Sequence, residues 1–246
     1  VSQPATHPVE LEAIKRDQDY PRPAVAVDLV IFTILDADLK VLLIDRIGEP
    51  FAGQPALPGG FVRVKEPADA DNVGDQGEDL EDAVLRELEE ETGLPHGSVF
   101  FEQLRTYGKA GRDPRMRVFS VAHVALVRPD LAGLAAAGGD AKNARWVSVR
   151  HERPERLAFD HDTILDDALT YAQSRLDTSS IAFELVPPTF SMTELRSVHE
   201  VIRGEGLDRG NFRRRFLRMI DDGVVEQAPG KRITGRKPAA VYRFLR

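Results

Sequence analysis

Residues 78–94 (EDLEDAVLRELEEETGL) constrain the chain more than any other stretch. Good helix formers fill it, and no Gly or Pro interrupts it until Gly93, so it reads as one helix with a defined stop. At 3.6 residues per turn, Glu87, Glu90 and Glu91 present their carboxylates on one face. Leu80, Val84 and Leu88 form an i, i+4 apolar row beside that face, able to dock the helix on a core. Three like charges so close repel one another unless a cation sits among them. A hard divalent cation takes carboxylate oxygens, and Mg²⁺ adds phosphate oxygens and water to a few of them. Arg86, next to Glu87, is a second positive charge able to hold a carboxylate in place. A solvated acidic helix face is the plainer reading of the same charge run.

The pattern is narrower than a charge run. Residues 86–94 (RELEEETGL) resemble the REUxEExGU signature of the Nudix hydrolases, in which U is aliphatic. Glu78 fills the glutamate that the wider signature places eight residues before the arginine, and residues 58–62 (PGGFV) are similar to its usual lead-in. The signature leaves five residues between Gly60 and Glu78, whereas this chain has 17, so residues 63–77 are expected to contain an insertion of 12. Their Pro, Gly, Asp and Asn content suits a surface loop, where added length costs little entropy. The resemblance implies an α/β fold, an α/β/α sandwich on a mixed sheet, over about residues 20–175. It also implies cleavage of the pyrophosphate in a nucleoside diphosphate linked to another group. Arg86, Glu87, Glu90 and Glu91 would form the catalytic set, with Mg²⁺ (Mn²⁺ as the alternative) on Glu87, Glu90, Glu91 and the Gly60 carbonyl. Glu78 would be a structural member of the box, oriented by bidentate hydrogen bonds from Arg86. Such a cation acidifies bound water and neutralises phosphate oxygens. A carboxylate must then take the water's proton, with Glu91 the first candidate and loop carboxylates such as Asp113 still open.

At 246 residues the chain suits one large or two modest domains, and 42% hydrophobic with 30% charged residues allows a proper core. The absence of cysteine excludes disulfides, thiolate metal sites and cysteine nucleophiles, and is compatible with a cytoplasmic protein. The six histidines lack the spacing of a zinc site. No apolar run approaches bilayer length and no charged-then-apolar leader is visible, so no membrane partner is expected. The formal net charge of −7 is unevenly spread: residues 180–246 hold 13 Lys+Arg against 8 Asp+Glu, a net of +5. Two modules with different partners are expected, the basic one suited to nucleic acid.

Residues 1–22 are polar and Pro-containing and read as a flexible arm, followed by a domain over 23–177. Residues 24–35 and 40–46 read as a β-hairpin closed by Asp36-Ala37-Asp38. Residues 100–107, 116–127 and 144–149 read as further strands, and 164–176 as a helix. A second domain is expected over 178–246. Residues 192–202 read as a helix with a capping box from Ser191 and Glu194. Asp208 caps a second helix over 209–221, with Phe212, Phe216, Leu217 and Ile220 assigned to the core. Val224-Val225, a turn at residues 228–231 and a strand over 240–245 complete a β-hairpin. Helix, helix, hairpin resembles a winged helix-turn-helix. Arg209, Asn211, Arg213 and Arg214 would face double-stranded DNA from the recognition helix, and Lys231, Arg232, Arg236 and Lys237 from the wing. A small basic accessory or dimerisation domain is the alternative for the same charges.

Residues 111–115 (GRDPR), 157–161 (LAFDH), 211–214 (NFRR) and 235–239 (GRKPA) look like blocks of the Nudix-related transcriptional regulators of NAD or sugar metabolism. Several of those proteins have a degenerate box that only senses ADP-ribose or a relative; this chain keeps Arg86, Glu87, Glu90 and Glu91. For the substrate, Arg46, Arg112, Asp113 and Arg115 are the candidate phosphate-binding residues, with Arg117 nearby. Phe51, Phe61 or Tyr107 would stack on a base or belong to the core, and Asp160 and His161 would face ligand or cap a helix. The leading expectation is a metal-dependent Nudix hydrolase that converts ADP-ribose to AMP and ribose 5-phosphate. The alternative is a DNA-binding regulator that uses the same domain as a ligand sensor. The resemblance implies a homodimer, since two winged helices would read two half-sites.

Overall fold

The computed structural model describes residues 22–64, 77–94, 97, 99–135, 144–177, 179–233 and 238–245. The arm over 1–22 therefore lies almost wholly outside the described residues, as do 12 residues of the expected insertion (65–76) and wing residues Arg236 and Lys237.

Strand β1 (Ala24–Leu35) is the middle of the sheet, and its sequence shows why. It is a near-continuous apolar run, as expected of a strand covered on both faces. Val27, Leu29 and Ile31 point into one core and Val30 and Phe32 into the other, following the two-residue period of a strand. Asp36 and Ala37 both take left-handed φ (52° and 57°) in a tight turn to β2 (Asp38–Asp45). The remaining strands are β3 (Pro55–Ala56), β4 (Gly59–Phe61), β5 (Phe100–Tyr107), β6 (Val118–Leu126) and β7 (Arg145–Ser148). Their order is β3-β2-β1-β6-β5, with β4 on β1 and β7 on β2. β1 and β6 pair in parallel and the other pairs are antiparallel, which makes the sheet mixed.

Helix α1 (Leu80–Thr92) covers one face, burying Val84 and Leu88 against Val27, Leu29 and Ile31. It stops where expected, at Gly93 with φ 69° and an N–H bonded to the Glu89 carbonyl. Glu78 lies before the helix rather than on it. A short α2 (Ala132–Ala135) precedes β7. Helix α3 (His161–Arg175) covers the other face through Ile164, Leu165, Ala168 and Ala172, completing the α/β/α sandwich. It begins three residues earlier than its apolar period suggests, because Asp160 and His161 are recruited by polar partners described below.

That second core continues without a break into the C-terminal elements: a 3₁₀ turn (Ile181–Leu185), α4 (Met192–Arg203), α5 (Arg209–Asp221), β8 (Val225–Ile233) and β9 (Pro238–Phe244). The capping box is present, with Glu194 N–H donating to Ser191 Oγ at 3.2 Å and Ser191 N–H to Glu194 Oε2 at 2.6 Å. Asp208 caps α5 by accepting from Asn211 N–H at 2.8 Å. Two expectations need correction. Leu217 is exposed rather than core, because α5 turns Phe212, Phe216, Met219 and Ile220 toward the core and Leu217 lies on another face. The turn at residues 228–231 is instead a bulge inside β8: Pro229 lacks an N–H and Gly230 takes φ 103°, so pairing slips between Ala228 and Lys231 and then resumes. No helix among the described residues is long and apolar enough to cross a membrane.

His199 is buried beside Phe212 with no hydrogen-bond partner for Nδ1 among the described residues. Burial, helped by the neighbouring Arg215, lowers its pKa from 6.5 to about 4. Between those values the unfolded chain takes up a proton that the folded chain resists, so stability is full above about pH 6.5 and falls as pH drops toward 4. The expected loss over that window is on the order of 2–3 kcal/mol. Urea melts at pH 7.0 and 4.5 should show it, and His199→Leu should flatten the difference; an equal pH dependence in the variant would refute the assignment.

Candidate functional site

Arg86 organises the acidic end of the site. Its Nε and Nη2 donate to the two oxygens of Glu78 (2.9 and 2.6 Å), its Nη1 to Glu87 Oε1 (2.6 Å) and Glu90 Oε2 (3.0 Å), and its Nη2 also to the Phe61 carbonyl (3.1 Å). The guanidinium holds the Glu78 carboxyl down at about 2, assisted by the Arg63 N–H at 2.7 Å. Arg63 also reaches Glu90 Oε1 at 2.9 Å, a contact between residues 27 apart that no local pattern signals. Burial pushes Glu87 up despite Arg86. Glu91 is pushed up to about 7, first by burial and then by Glu87 and Glu90, and its Oε2 is buried without a partner among the described residues.

The insertion leaves this geometry in place. Val64 bridges Gly77, and Glu78 N–H donates to the Arg63 carbonyl at 3.0 Å, so the described ends of the inserted segment meet in a closed neck. Gly77 is required there: its φ is 119°, and a Cβ would lie 2.2 Å from the Arg63 carbonyl oxygen. Gly60 abuts the box, since a Cβ on it would lie 2.1 Å from Glu87 Oε1. Among the described residues, no three His, Asp or Glu side chains converge closely enough to enclose a metal ion.

Between α1 and the loops before β6 and α3 lies a cleft of about 540 Å³, lined by Glu90 and Glu91 on one side and by Arg46, Arg112, Asp113, Arg115 and Phe159 on the other. Arg46, Arg112, Asp113 and Arg115 therefore do come together, but not in like roles. Arg112 lies in the floor, its Nη2 3.1 Å from Asp28 Oδ2 and 2.7 Å from Asp160 Oδ1, and its Nε 3.0 Å from Asp160 Oδ2. Burial opposes its charge, yet Asp160 and Asp28 keep its pKa raised. Its Nε and Nη2 are thus committed to carboxylates. Ser120 Oγ donates to Asp28 at 2.5 Å. His161 Nδ1 accepts the Leu57 N–H at 2.9 Å, which leaves the ring proton on Nε2, 3.5 Å from Asp28 Oδ1. Burial lowers the His161 pKa, so the ring is neutral in this setting.

The mouth is aromatic and cationic. Arg46 donates from Nε to the Pro50 carbonyl (2.9 Å) and lies 4.6 Å over the Phe159 ring. Arg115, gripped by Asp113 at 2.7 Å, lies 5.4 Å from the Phe61 ring and 5.9 Å from Phe159. Burial and then the charge of Arg115 lower the Arg46 pKa, the mark of two cations crowded together. Phe51 and Phe159 meet edge to face at 4.9 Å, and both have positive φ, 69° and 55°. Bulky residues adopt that conformation only where the surroundings impose it. Phe159 is not among the stacking candidates, although it stands at the centre of the LAFDH block at residues 157–161. Tyr107 takes the core alternative: its hydroxyl donates to Asp167 (2.8 Å) and it packs in the α3 core, and it does not line the cleft. Arg117 likewise stacks on Phe119 at 4.5 Å and does not line the cleft.

On the C-terminal domain, α5 exposes Arg209, Asn211, Arg213 and Arg214, while Arg215 turns the other way to pair with Asp177. Lys231 is exposed on β8. Arg232 is corrected: it pairs with Glu194 at 2.8 Å rather than extending from the wing.

The comparisons follow this division. Residues 24–168 match the NUDIX domain, and residues 182–244 match the NrtR DNA-binding winged helix domain. A relative from Acinetobacter baylyi, the ADPR responsive transcriptional repressor NtrR, is 34% identical over 226 residues, covering 92% of this chain and 84% of its own. The ADP-ribose pyrophosphatase of Methanocaldococcus jannaschii is 38% identical over 159 residues, 64% of this chain and 80% of that one. Shewanella oneidensis NrtR, solved in complex with a 27mer DNA, shares the fold with a TM-score of 0.73 at 31% identity, covering 90% of this chain and 93% of that one. A sandwich carrying an intact acidic box, a capped two-helix unit with its hairpin, and matches that run across both together have one reading: this chain belongs to the Nudix family, in the group whose Nudix domain is followed by an NrtR-type winged helix domain.

Proposed function

We propose that this chain is a DNA-binding transcriptional regulator whose Nudix domain senses ADP-ribose or a related nucleoside diphosphate derivative. The observation that carries this reading is the joining, in one chain, of a cleft suited to a diphosphate and a helix that exposes Arg209, Asn211, Arg213 and Arg214. A volume of about 540 Å³ suits a nucleotide-sized ligand. Arg46 and Arg115 repel one another, so a diphosphate seated between them relieves that cost and gains charge-assisted hydrogen bonds. Phe159 and Phe61 offer flat apolar surface to the groups on either side. In the box, Arg86 and Arg63 already neutralise Glu87 and Glu90, which lets the site hold its shape without turnover. The similarity to a repressor spans both domains, whereas that to a pyrophosphatase covers 64% of the chain. The active unit is a homodimer in the cytoplasm, divided near residue 177 and reading two half-sites. Fluorescence anisotropy with a duplex from upstream of the chain's own gene tests this: nanomolar binding, changed tenfold or more by ADP-ribose, is expected. Failure to bind that DNA at low salt would end the regulator reading.

A second reading, hydrolysis of ADP-ribose to AMP and ribose 5-phosphate, is favoured by the retention of Arg86, Glu87, Glu90 and Glu91. The donors Glu87, Glu90, Glu91 and the Gly60 carbonyl are hard oxygens of the kind Mg²⁺ or Mn²⁺ takes, and Glu91 Oε2 is buried with no described partner, but the three carboxylates would have to draw closer to enclose the ion. Such an ion supplies acidified water and neutralised phosphate oxygens. Glu91, already raised to about 7, is the better base, because Asp113 accepts hydrogen bonds from Arg115 and is held below the ordinary carboxylate range. If the chain turns over ADP-ribose with Mg²⁺, Glu90→Gln or Glu91→Gln should reduce kcat at least a hundredfold while the melting temperature holds; unaltered turnover would defeat this assignment.

A further inference from the structure

Helix α3 starts in the floor of the cleft and ends at the winged helix. At its first residue, His161 faces Asp28, and the preceding Asp160 holds Arg112. Fourteen residues later, about 21 Å along the axis, the other end meets α4 and α5. Gln173 Nε2 donates to the Ile202 carbonyl at 3.1 Å. Asp177, just past the helix, pairs with Arg203 of α4 and Arg215 of α5. Arg150, two residues after β7, donates to the same Ile202 carbonyl at 2.9 Å, so the Nudix domain caps the C-terminal end of α4. Gly204 permits that approach, since a Cβ there would lie 2.6 Å from the Arg150 guanidinium.

Arg215 sets the turn of α5 about its own axis. It follows Arg213 and Arg214, which are exposed, so holding it toward Asp177 fixes where those two point. Asp177 is half-exposed, and ion pairs of that kind are individually weak. Beside the apolar core that runs from the Nudix domain into α4 and α5, these weak polar contacts at the end of a rigid helix are the part of the joint that a ligand can bias.

We propose that Asp177 is a positioning residue: it ties the orientation of the recognition helix α5 to α3, and through α3 to the occupant of the cleft. This rests on the regulator reading above. The test uses the full chain, a duplex from upstream of its own gene, and ADP-ribose. Anisotropy gives the DNA Kd with and without ADP-ribose, and calorimetry without DNA gives the ADP-ribose Kd. For the wild type, ADP-ribose is expected to change the DNA Kd by roughly tenfold or more, within the ordinary range of such couplings. Asp177→Ala should leave the ADP-ribose Kd within about twofold and reduce the change in DNA Kd to less than about threefold, with Asp177→Glu restoring it in part. Gln173→Met, which removes no charge, should lower the coupling in the same direction, and keeps the idea testable if Asp177→Ala misfolds. Full coupling in folded Asp177→Ala, or in Gln173→Met where Asp177→Ala misfolds, with normal ligand binding, would overturn the proposal. A wild type that binds DNA but ignores ADP-ribose would overturn the sensor reading, and this joint with it.

Discussion

Replacing Arg112 with leucine is expected to cost about 3–5 kcal/mol of stability, enough to unfold many domains of this size. The guanidinium sits in the cleft floor with its side chain 5% exposed, and it is the cation shared by Asp28 and Asp160. Without it the Asp28 carboxylate, itself buried, keeps only the Ser120 hydroxyl and the neutral His161 ring. An uncompensated buried charge is the costly half of a broken ion pair; the pair itself adds much less. A second substitution separates the two. Asp28→Asn removes the stranded charge, so Asp28→Asn with Arg112→Leu should be less destabilised than the sum of the single variants by more than about 1 kcal/mol. Urea melts of the four proteins check this, and additive losses, or a loss below about 1 kcal/mol for Arg112→Leu, would remove Arg112 from its place as the floor's keystone.

This floor is also where sequence reasoning ran out. Helix α1 could be read because its signals are local: Leu80, Val84 and Leu88 repeat every four residues, and Gly93 ends the run. The Ser191–Glu194 capping box is equally local, spanning three residues. In the floor, by contrast, Arg112 finds Asp28 across 84 positions and Asp160 across 48, while Ser120 finds Asp28 across 92. No periodicity connects such partners; only the register of β1 with β6 and the docking of α3 bring them together. The sequence therefore shows Arg112 only as a candidate phosphate ligand, and not that its Nε and Nη2 hold Asp160 and Asp28 in the floor. The role of Phe159 within the LAFDH block is illegible for a related reason, since its left-handed backbone is imposed by surroundings that the local sequence does not encode. Pro229-Gly230 shows the reverse error: a strong turn dipeptide was overruled by cross-strand pairing and became a bulge. The order of the two functional readings shifted too. An intact box put hydrolysis first, but Arg63 on Glu90 and similarity to a repressor along both domains favour the sensor.

The other large effect is expected on DNA. Arg213→Ala with Arg214→Ala should weaken binding to the upstream duplex by about a hundredfold near 0.1 M salt and make the slope of log K against log salt shallower by about two. Both side chains are exposed on α5, Arg214 opposite the inward-facing Phe212 and Phe216 and Arg213 on the flank between. Arg214 is steadied by donating to Asn211 Oδ1, which orients its charge and keeps the Asn211 amide nitrogen free to meet a base. Phosphate contacts release counterions and base contacts do not, so the salt slope distinguishes the two roles. Asn211→Ala should accordingly leave the slope nearly unchanged while narrowing the gap between the upstream duplex and a scrambled one. Neither change touches the cleft, so ADP-ribose affinity should persist in both variants and separates loss of DNA contacts from loss of fold. If the double arginine variant keeps the wild-type slope, α5 is not the surface that meets the phosphates, and DNA must approach the winged helix from another face.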